Sequence, residues 1–440
     1  MKYPPIDPHI VESVLKEINI GDLGKATIRE IVKIVDLIQE RSGETFIRME
    51  MGVPGLDPVQ IGIEAEIDAL RRGVSRDYPS IEGIKELKEE TARFVKNFIN
   101  TNVSPEGCIA TVGSMQGGYA AFLACSYLDK QKDTALFIDP GFPVQKQQFQ
   151  VMGQKFTSFD VYEFRGEKLR EKLESYLSKG NINSIIFSNP NNPSWICLTE
   201  DELKIIGDLA NKYDVVVIED LAYFGMDFRK DFSKPGQPPY QPSVSHYTDN
   251  WLMLISSSKV FSYAGQRMAV IVISDKIYNR SYPLLKERFG VDKFGTCIVY
   301  RILYSLSSGA SHSAQFALAA MFKAANEGKF NFVEGVKEYG ERARLMKELF
   351  TKYGFRIIYD RDMNEPLADG FYFTIEYPGM KGGELIEKLL YFGISAISLN
   401  ATGSKYVDGL RACVSQVRLP MIPILEERLK AFHSKYPINN

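Results

Sequence analysis

The stretch Ser184–Tyr223, SIIFSNPNNPSWICLTEDELKIIGDLANKYDVVVIEDLAY, decides how the rest of the chain is read. It opens on SIIFS and closes on VVVIE, which begins at Val215; both are short β-branched runs, apolar on both faces. Runs of that kind mark strands buried in a mainly parallel sheet with helices covering it. Between them, Thr199 and Glu202 have capping-box spacing. Leu203, Ile206 and Leu209 then share one helical face, and the helix is predicted to end near Lys212. The stretch is a strand-helix-strand unit.

The same pattern repeats on both sides of it, with CIATV at 108, ALFID at 135, LMLIS at 252 and MAVIVIS at 268. Residues from about 105 to 275 therefore read as an α/β sheet domain. Before it, IREIVKIVDLIQERSG places Ile31, Ile34, Val35 and Ile38 at helical spacing, with Gly43 as the stop, so the first fifty residues read as an arm with two short helices. From about 316 the character changes to long charged helices and short strands around GFYFTIEY at 370 and GLRACVS at 409. The expected division is 1–51 as the arm and part of a small domain, 52–315 as the large domain, and 316–440 as the remainder of a smaller α+β domain. There is no internal repeat and no low-complexity tract.

The bulk properties exclude several classes. A chain of 440 residues exceeds the ~250–300 at which single cores stop growing, so two domains are expected. Its 45% hydrophobic and 25% charged composition is that of a packed globular protein. A net charge of -2 and a pI near 6.2 offer no footprint for nucleic acid or an anionic membrane, which leaves small molecules as partners. The five cysteines, Cys108, Cys125, Cys197, Cys297 and Cys413, show neither zinc spacing nor disulfide density, so no metal is expected and a reducing cytoplasm fits. MKYPPIDPHIVESV has no apolar leader core, and no run approaches the ~18 apolar residues of a membrane span.

Five local features bear on chemistry. TVGSMQGG, Thr111–Gly118, follows a strand and opens an apolar helix; free backbone N–H groups at such a turn suit a phosphate, although ordinary strand-to-helix turns look alike. SNPNNPS, Ser188–Ser194, uses two Asn-Pro steps that set extended, rigid turns and can hold an asparagine beside the strand ends; a plain proline-rich turn reads the same. In VVVIEDLAY, Asp220 and Tyr223 sit at the carboxyl end of a strand, where ligands bind in parallel sheets, yet most acids there are caps or solvated turns. In ISSSKVFSYAGQR, Lys259 follows three serines and precedes Arg267, a residue type that anchors phosphate. In GLRACVS, Arg411 lies within an apolar strand, where it either has a structural acidic partner, the commoner case, or waits for an anionic ligand.

In this order, Y-x4-G, G-S-x-Q, P-x-F-P, N-P-x-N-P, D-x-x-Y, S-x-S-K-x7-R and a late arginine, the motifs resemble the class I/II aminotransferase family of fold-type I pyridoxal-phosphate enzymes, from about residue 45 to 420. The resemblance implies an α/β fold, with a large domain built on a mostly parallel seven-stranded sheet between helices and a smaller α+β domain. It implies that Lys259 carries pyridoxal 5'-phosphate as a Schiff base and moves the substrate proton. Asp220 would pair with the pyridine nitrogen, Tyr223 and Asn192 would bond the phenolic oxygen, and Phe142 would stack on the ring. Phosphate would be held by the backbone around Gly113, Ser114 and Met115, by Ser256 and Ser258, by Arg267, and by Tyr78 from a neighbouring subunit, which implies a homodimer with shared sites. Arg411 would clamp the substrate α-carboxylate, with Asn192 and the backbone at Gly52 beside it.

The chain departs from the family where Asn192-Pro193 continues Ser194-Trp195 rather than Thr-Gly, which puts a large aromatic at the entrance, and where Leu221 replaces the usual second acid while Glu219 precedes Asp220. The resemblance implies transamination between an L-amino acid and a 2-oxo acid such as 2-oxoglutarate, in amino acid metabolism. Arg301 is merely nearby in sequence as a second carboxylate anchor, so a neutral or aromatic amino acid is favoured, with Phe142, Trp195 and Phe371 as candidate apolar walls; Phe371 within GFYFT also reads as ordinary strand core. β-Elimination or decarboxylation on the same fold is the first alternative. A cofactor-binding regulator is the second, but it would carry an N-terminal helix-turn-helix module, and a doubly wound nucleotide binder would need a G-x-G-x-x-G that is absent.

Overall fold

The six apolar runs become strands of one seven-stranded sheet. In chain order these are β1 (Cys108–Val112), β2 (Thr134–Asp139), β3 (Lys155–Asp160), β4 (Ile182–Ser188), β5 (Val216–Leu221), β6 (Trp251–Ser256) and β7 (Met268–Ile273). Their spatial order is β1-β7-β6-β5-β4-β2-β3. Every pairing is parallel except the two made by β7, which runs antiparallel between β1 and β6. Strand β3 lies outside the six runs because it occupies an edge and mixes exposed Lys155 with half-buried and buried positions.

The computed structural model describes residues 4–438, which cluster into two units. The larger holds Leu56–Asn191 and Cys197–Val336. The smaller holds the chain through Gly55, then Asn192–Ile196, then the residues from Lys337 onward. The helix His312–Asn326, which spans the expected boundary at 315, falls in the larger unit.

The helix Gly113–Cys125 shows why the sheet core is dry: Ala120, Ala121, Phe122 and Ala124 are all fully buried, packed in one cluster with Ile109, Ile218, Leu252 and Leu254. Gly117 permits the approach, since a Cβ there would stand 3.2 Å from Leu254. Burying each large aliphatic side chain of this kind is worth about 1.5–3 kcal/mol. The helix Glu200–Tyr213 starts on the expected capping box, with Thr199 N donating to Glu202 (2.9 Å) and Glu202 N to Thr199 (3.3 Å).

In the smaller unit, the helices Pro8–Ile18 and Ile28–Ser42 form as the sequence indicates. Ile31, Ile34, Val35 and Ile38 are buried, and Gly43 closes the second helix at φ 71°. A four-stranded antiparallel sheet runs Ile397–Ser398, Leu410–Cys413, Tyr372–Glu376, Arg356–Ile357. The short strand Ile47–Arg48 pairs in parallel with Ile394–Ser395. Residues near 50 are thereby fixed in this unit.

Candidate active site

Strand register brings most of the predicted residues of the larger unit to one edge of the sheet. Ser188 pairs with Asp220, and Asp220 with Leu254, so the carboxyl ends of β4, β5 and β6 are level. Ser256 pairs with Ala269, and Met268 with Val112. The start of β7, with Arg267 before it, therefore lies between Ser256 and the turn at Gly113. Ligands of parallel α/β sheets bind at this edge.

Gly113 adopts φ +66° and opens the helix Gly113–Cys125, whose N-terminus has no side-chain cap. Its missing side chain makes room for an arginine: a Cβ there would lie 2.4 Å from a terminal guanidinium nitrogen of Arg267. Arg267, itself left-handed at φ 50°, is exposed and held by one bond to the Ala264 carbonyl (2.8 Å); it forms no ion pair among the described residues. Ser114 and Met115 occupy the first helical turn, and Gln148 steadies it by donating to the Met115 carbonyl (2.8 Å). Ser256 and Ser258 are buried, with Ser258 N donating to the Ser256 hydroxyl (3.1 Å). Uncapped amides, hydroxyls and an arginine lacking an acid together suit a phosphate.

Lys259 follows directly and is half-buried. Its loop is pinned on both sides of it. Ser257 donates to the Met268 carbonyl (2.7 Å) and accepts from Tyr263 N at its own carbonyl (3.1 Å), while the Tyr263 hydroxyl donates to buried Glu66 (2.7 Å), which Ser313 also bonds (3.0 Å). The Glu66–Tyr263 tie is invisible in the sequence because its partners are 197 positions apart.

Asp220 is 7% exposed and faces two neutral donors, Gln145 Nε2 (2.8 Å, to Oδ2) and Ala222 N (3.0 Å, to Oδ1). No cation among the described residues pairs with it. Burial pushes its carboxyl up to about 6, and the two hydrogen bonds pull against that rise. The preceding Glu219 points to the opposite face, as strand alternation requires, and bonds Ser243 (2.7 Å) and Val244 N (3.3 Å); burial lifts it to about 7. Gln145 was not singled out from sequence, and nothing local marks it beyond its place in the helix Pro143–Val151 that Phe142 begins.

An acid of this kind has a measurable cost. Between the ~3.9 of an unfolded aspartate and about 6, the unfolded chain has released a proton that the folded cofactor-free protein retains, so stability falls as pH rises through that window. Two units correspond to roughly 3 kcal/mol. Asp220→Asn is expected to remove that part of the pH dependence and to make the cofactor-free protein more stable at pH 7.5; denaturant titrations from pH 4 to 8 that superimpose for the two proteins would refute this.

Tyr223 is buried in the turn after β5, where Met226 N bonds its carbonyl (3.1 Å). Phe142 is half-buried, and Asn191 steadies its loop by donating to the Pro140 carbonyl (2.8 Å). Both Asn-Pro bonds of SNPNNPS are cis. Tyr78 does not join the cluster: its side chain is 89% exposed.

The smaller unit holds Arg411, Asn192 and Gly52 together. Arg411 is 1% exposed, and the structural acid that is its commoner partner is absent among the described residues. It donates to Asn192 Oδ1 (3.3 Å) and to the Glu50 carbonyl (2.7 Å), its Nε has no hydrogen-bond partner, and its guanidinium lies 4.6 Å above the Tyr372 ring. Gly52 is demanded by the same ring, since a Cβ would meet the Tyr372 hydroxyl at 2.0 Å. Trp195 does not cover an entrance: it is fully buried, as is Phe371, which packs edge-on against Tyr339 at 4.8 Å.

A lysine just past a buried strand, an acid held without a cation, and an acid-free arginine over a glycine turn are groups that fit pyridoxal phosphate. The fit rests on these features: the acid suits a protonated ring nitrogen, and the Gly113–Arg267 cradle suits the phosphate. Comparisons agree. The family described as aminotransferase class I and II matches residues 44–405. The aspartate aminotransferase of Pyrococcus horikoshii is 24% identical over 387 residues, 85% of this chain and 88% of that protein. The probable aspartate aminotransferase of Methanocaldococcus jannaschii is 24% identical over 275 residues, 62% of this chain and 66% of that protein. In fold, the aspartate aminotransferase structure from Thermotoga maritima superimposes with a TM-score of 0.74 at 19% identity, covering 96% of this chain and 99% of that one. The chain belongs to the class I and II aminotransferase family, whose members use pyridoxal phosphate. It is an enzyme of the aminotransferase kind.

Proposed function

We propose that this enzyme moves the amino group of a neutral or aromatic L-amino acid to a 2-oxo acid such as 2-oxoglutarate. The observation that carries the reading is Arg411: a buried guanidinium with no acid opposite it is costly unless an anionic ligand completes it. Arg411 would hold the substrate α-carboxylate, with Asn192 and the backbone at Gly52 beside it. The preference for an uncharged side chain rests on the sequence, in which no second arginine aligns as an anchor for a distal carboxylate.

Bound pyridoxal phosphate supplies the electron sink that makes an amino acid's α-proton removable. In the larger unit, Lys259 Nζ takes that proton and returns it. Asp220 keeps the ring nitrogen protonated, and Gln145 keeps the Asp220 carboxylate aimed. Tyr223 and Asn192 would each bond the phenolic oxygen, Asn192 through Nδ2 because its Oδ1 accepts from Arg411. Phe142 would pack on the ring. The backbone of Gly113, Ser114 and Met115, the hydroxyls of Ser256 and Ser258, and Arg267 hold the phosphate.

The larger unit leaves Ile67, Leu70, Tyr78, Tyr300, Tyr304 and Leu306 exposed, an excess of large apolar surface that supports a homodimer in which Tyr78 serves the neighbouring subunit's phosphate. Among the described residues no helix is long and apolar enough to cross a membrane, and the proposed setting is the cytoplasm.

The test is a half-reaction screen, in which the cofactor-loaded enzyme is mixed with each amino acid in turn and the visible absorbance of bound cofactor is followed. Loss should be fastest with a neutral or aromatic substrate and reversed by 2-oxoglutarate. Fastest loss with aspartate or glutamate would overturn the preference. Release of pyruvate or ammonia would reassign the enzyme to a lyase. A monomeric mass by sedimentation would remove the shared site.

A further inference from the structure

We propose that Trp195 is a positioning residue that locks Asn192 and Arg411 into one preformed carboxylate seat; this rests on Arg411 being the carboxylate anchor. Trp195 sits at φ 65°, a backbone conformation that a bulky residue keeps only when its surroundings fix it, and its side chain is fully buried. What fixes it is Gly370, where a Cβ would stand 1.9 Å from Cε2 of the indole. The indole also meets the Tyr372 ring edge-on, at 6.2 Å between centroids and 62° between planes.

Two routes lead from this indole to Arg411. The first passes through the Tyr372 ring, which lies under the guanidinium at 4.6 Å. The second follows the chain back three residues to Asn192, whose Oδ1 accepts from Arg411 (3.3 Å). Residues 192–196 accordingly pack with the smaller unit, although the chain on both sides of them belongs to the larger one. With the Glu50 carbonyl on its other terminal nitrogen, the guanidinium is immobilised before any ligand arrives. A seat ordered in advance loses less entropy on binding, and its aromatic backing keeps water from weakening the charge attraction.

The test measures binding of propanoate, a bare carboxylate, to the cofactor-loaded enzyme by ligand-observed NMR. Trp195→Gly and Gly370→Ala should each weaken propanoate about tenfold, the scale of losing an aromatic contact and the arginine's support. Trp195→Phe should stay within about threefold of the parent, and inorganic phosphate should bind the Gly113–Arg267 cradle of all three cofactor-free variants as it binds the parent, which a general loosening of the fold would not give. Should either of the first two variants fail to fold, Trp195→Leu decides, with the same tenfold expectation. Parent-like affinity in Trp195→Gly or Trp195→Leu overturns the proposal. Arg411→Ala separates the two readings: if it too binds propanoate normally, the anchor assignment fails; if it alone loses binding, only the role of Trp195 fails.

Discussion

Lys259→Ala is expected to fold, to lose covalent attachment of the cofactor, and to turn over at least about 10⁴-fold more slowly, the upper end of what a positioned proton carrier contributes. The residue does two jobs with one amine, as attachment point and as base, so no neighbouring group replaces it. Folding should survive because Ser257 and the Tyr263–Glu66 bond still pin the loop in the variant. Lys259→Arg should fail almost as badly, since a guanidinium keeps the charge but stays protonated at working pH. Stopped-flow mixing with the best substrate from the screen checks this; a rate within a hundredfold of the parent would remove Lys259 from the chemistry.

Arg411→Ala is expected to raise the half-saturating amino acid concentration by about 10²-fold, roughly 3 kcal/mol for two charge-assisted hydrogen bonds, while leaving cofactor affinity unchanged. Both the Asn192 carbonyl oxygen and the Glu50 carbonyl accept from it, so its removal also frees the seat to relax. Arg411→Lys should recover little, because a point charge lacks the planar fork that meets a carboxylate with two parallel bonds. Half-saturation unaltered in the alanine variant would refute the clamp.

How far the sequence carried the fold depended on whether the deciding forces were local. The helix cap at Thr199 and the six doubly apolar runs were legible, because capping and burial on both faces leave short-range patterns. Strand β3 was not, since an edge strand keeps one side wet and Lys155 breaks the run. In the candidate site, Lys259, Asp220 and Arg411 stood out by residue type and place. Their supports did not. Gln145 reaches Asp220 across 75 positions, and Tyr372 comes under Arg411 only through antiparallel register, Thr374 being the residue directly opposite. Trp195 was expected at an entrance because only its bulk was visible; the space made by Gly370, far along the chain, turned it inward.

The account's central claim is tested most directly by reducing the cofactor-loaded enzyme with borohydride and mapping its peptides. The pyridoxyl group should be found on Lys259, within the peptide that carries Ser256, Ser257 and Ser258. A label on another lysine, or no label on a protein shown to be folded, would contradict it.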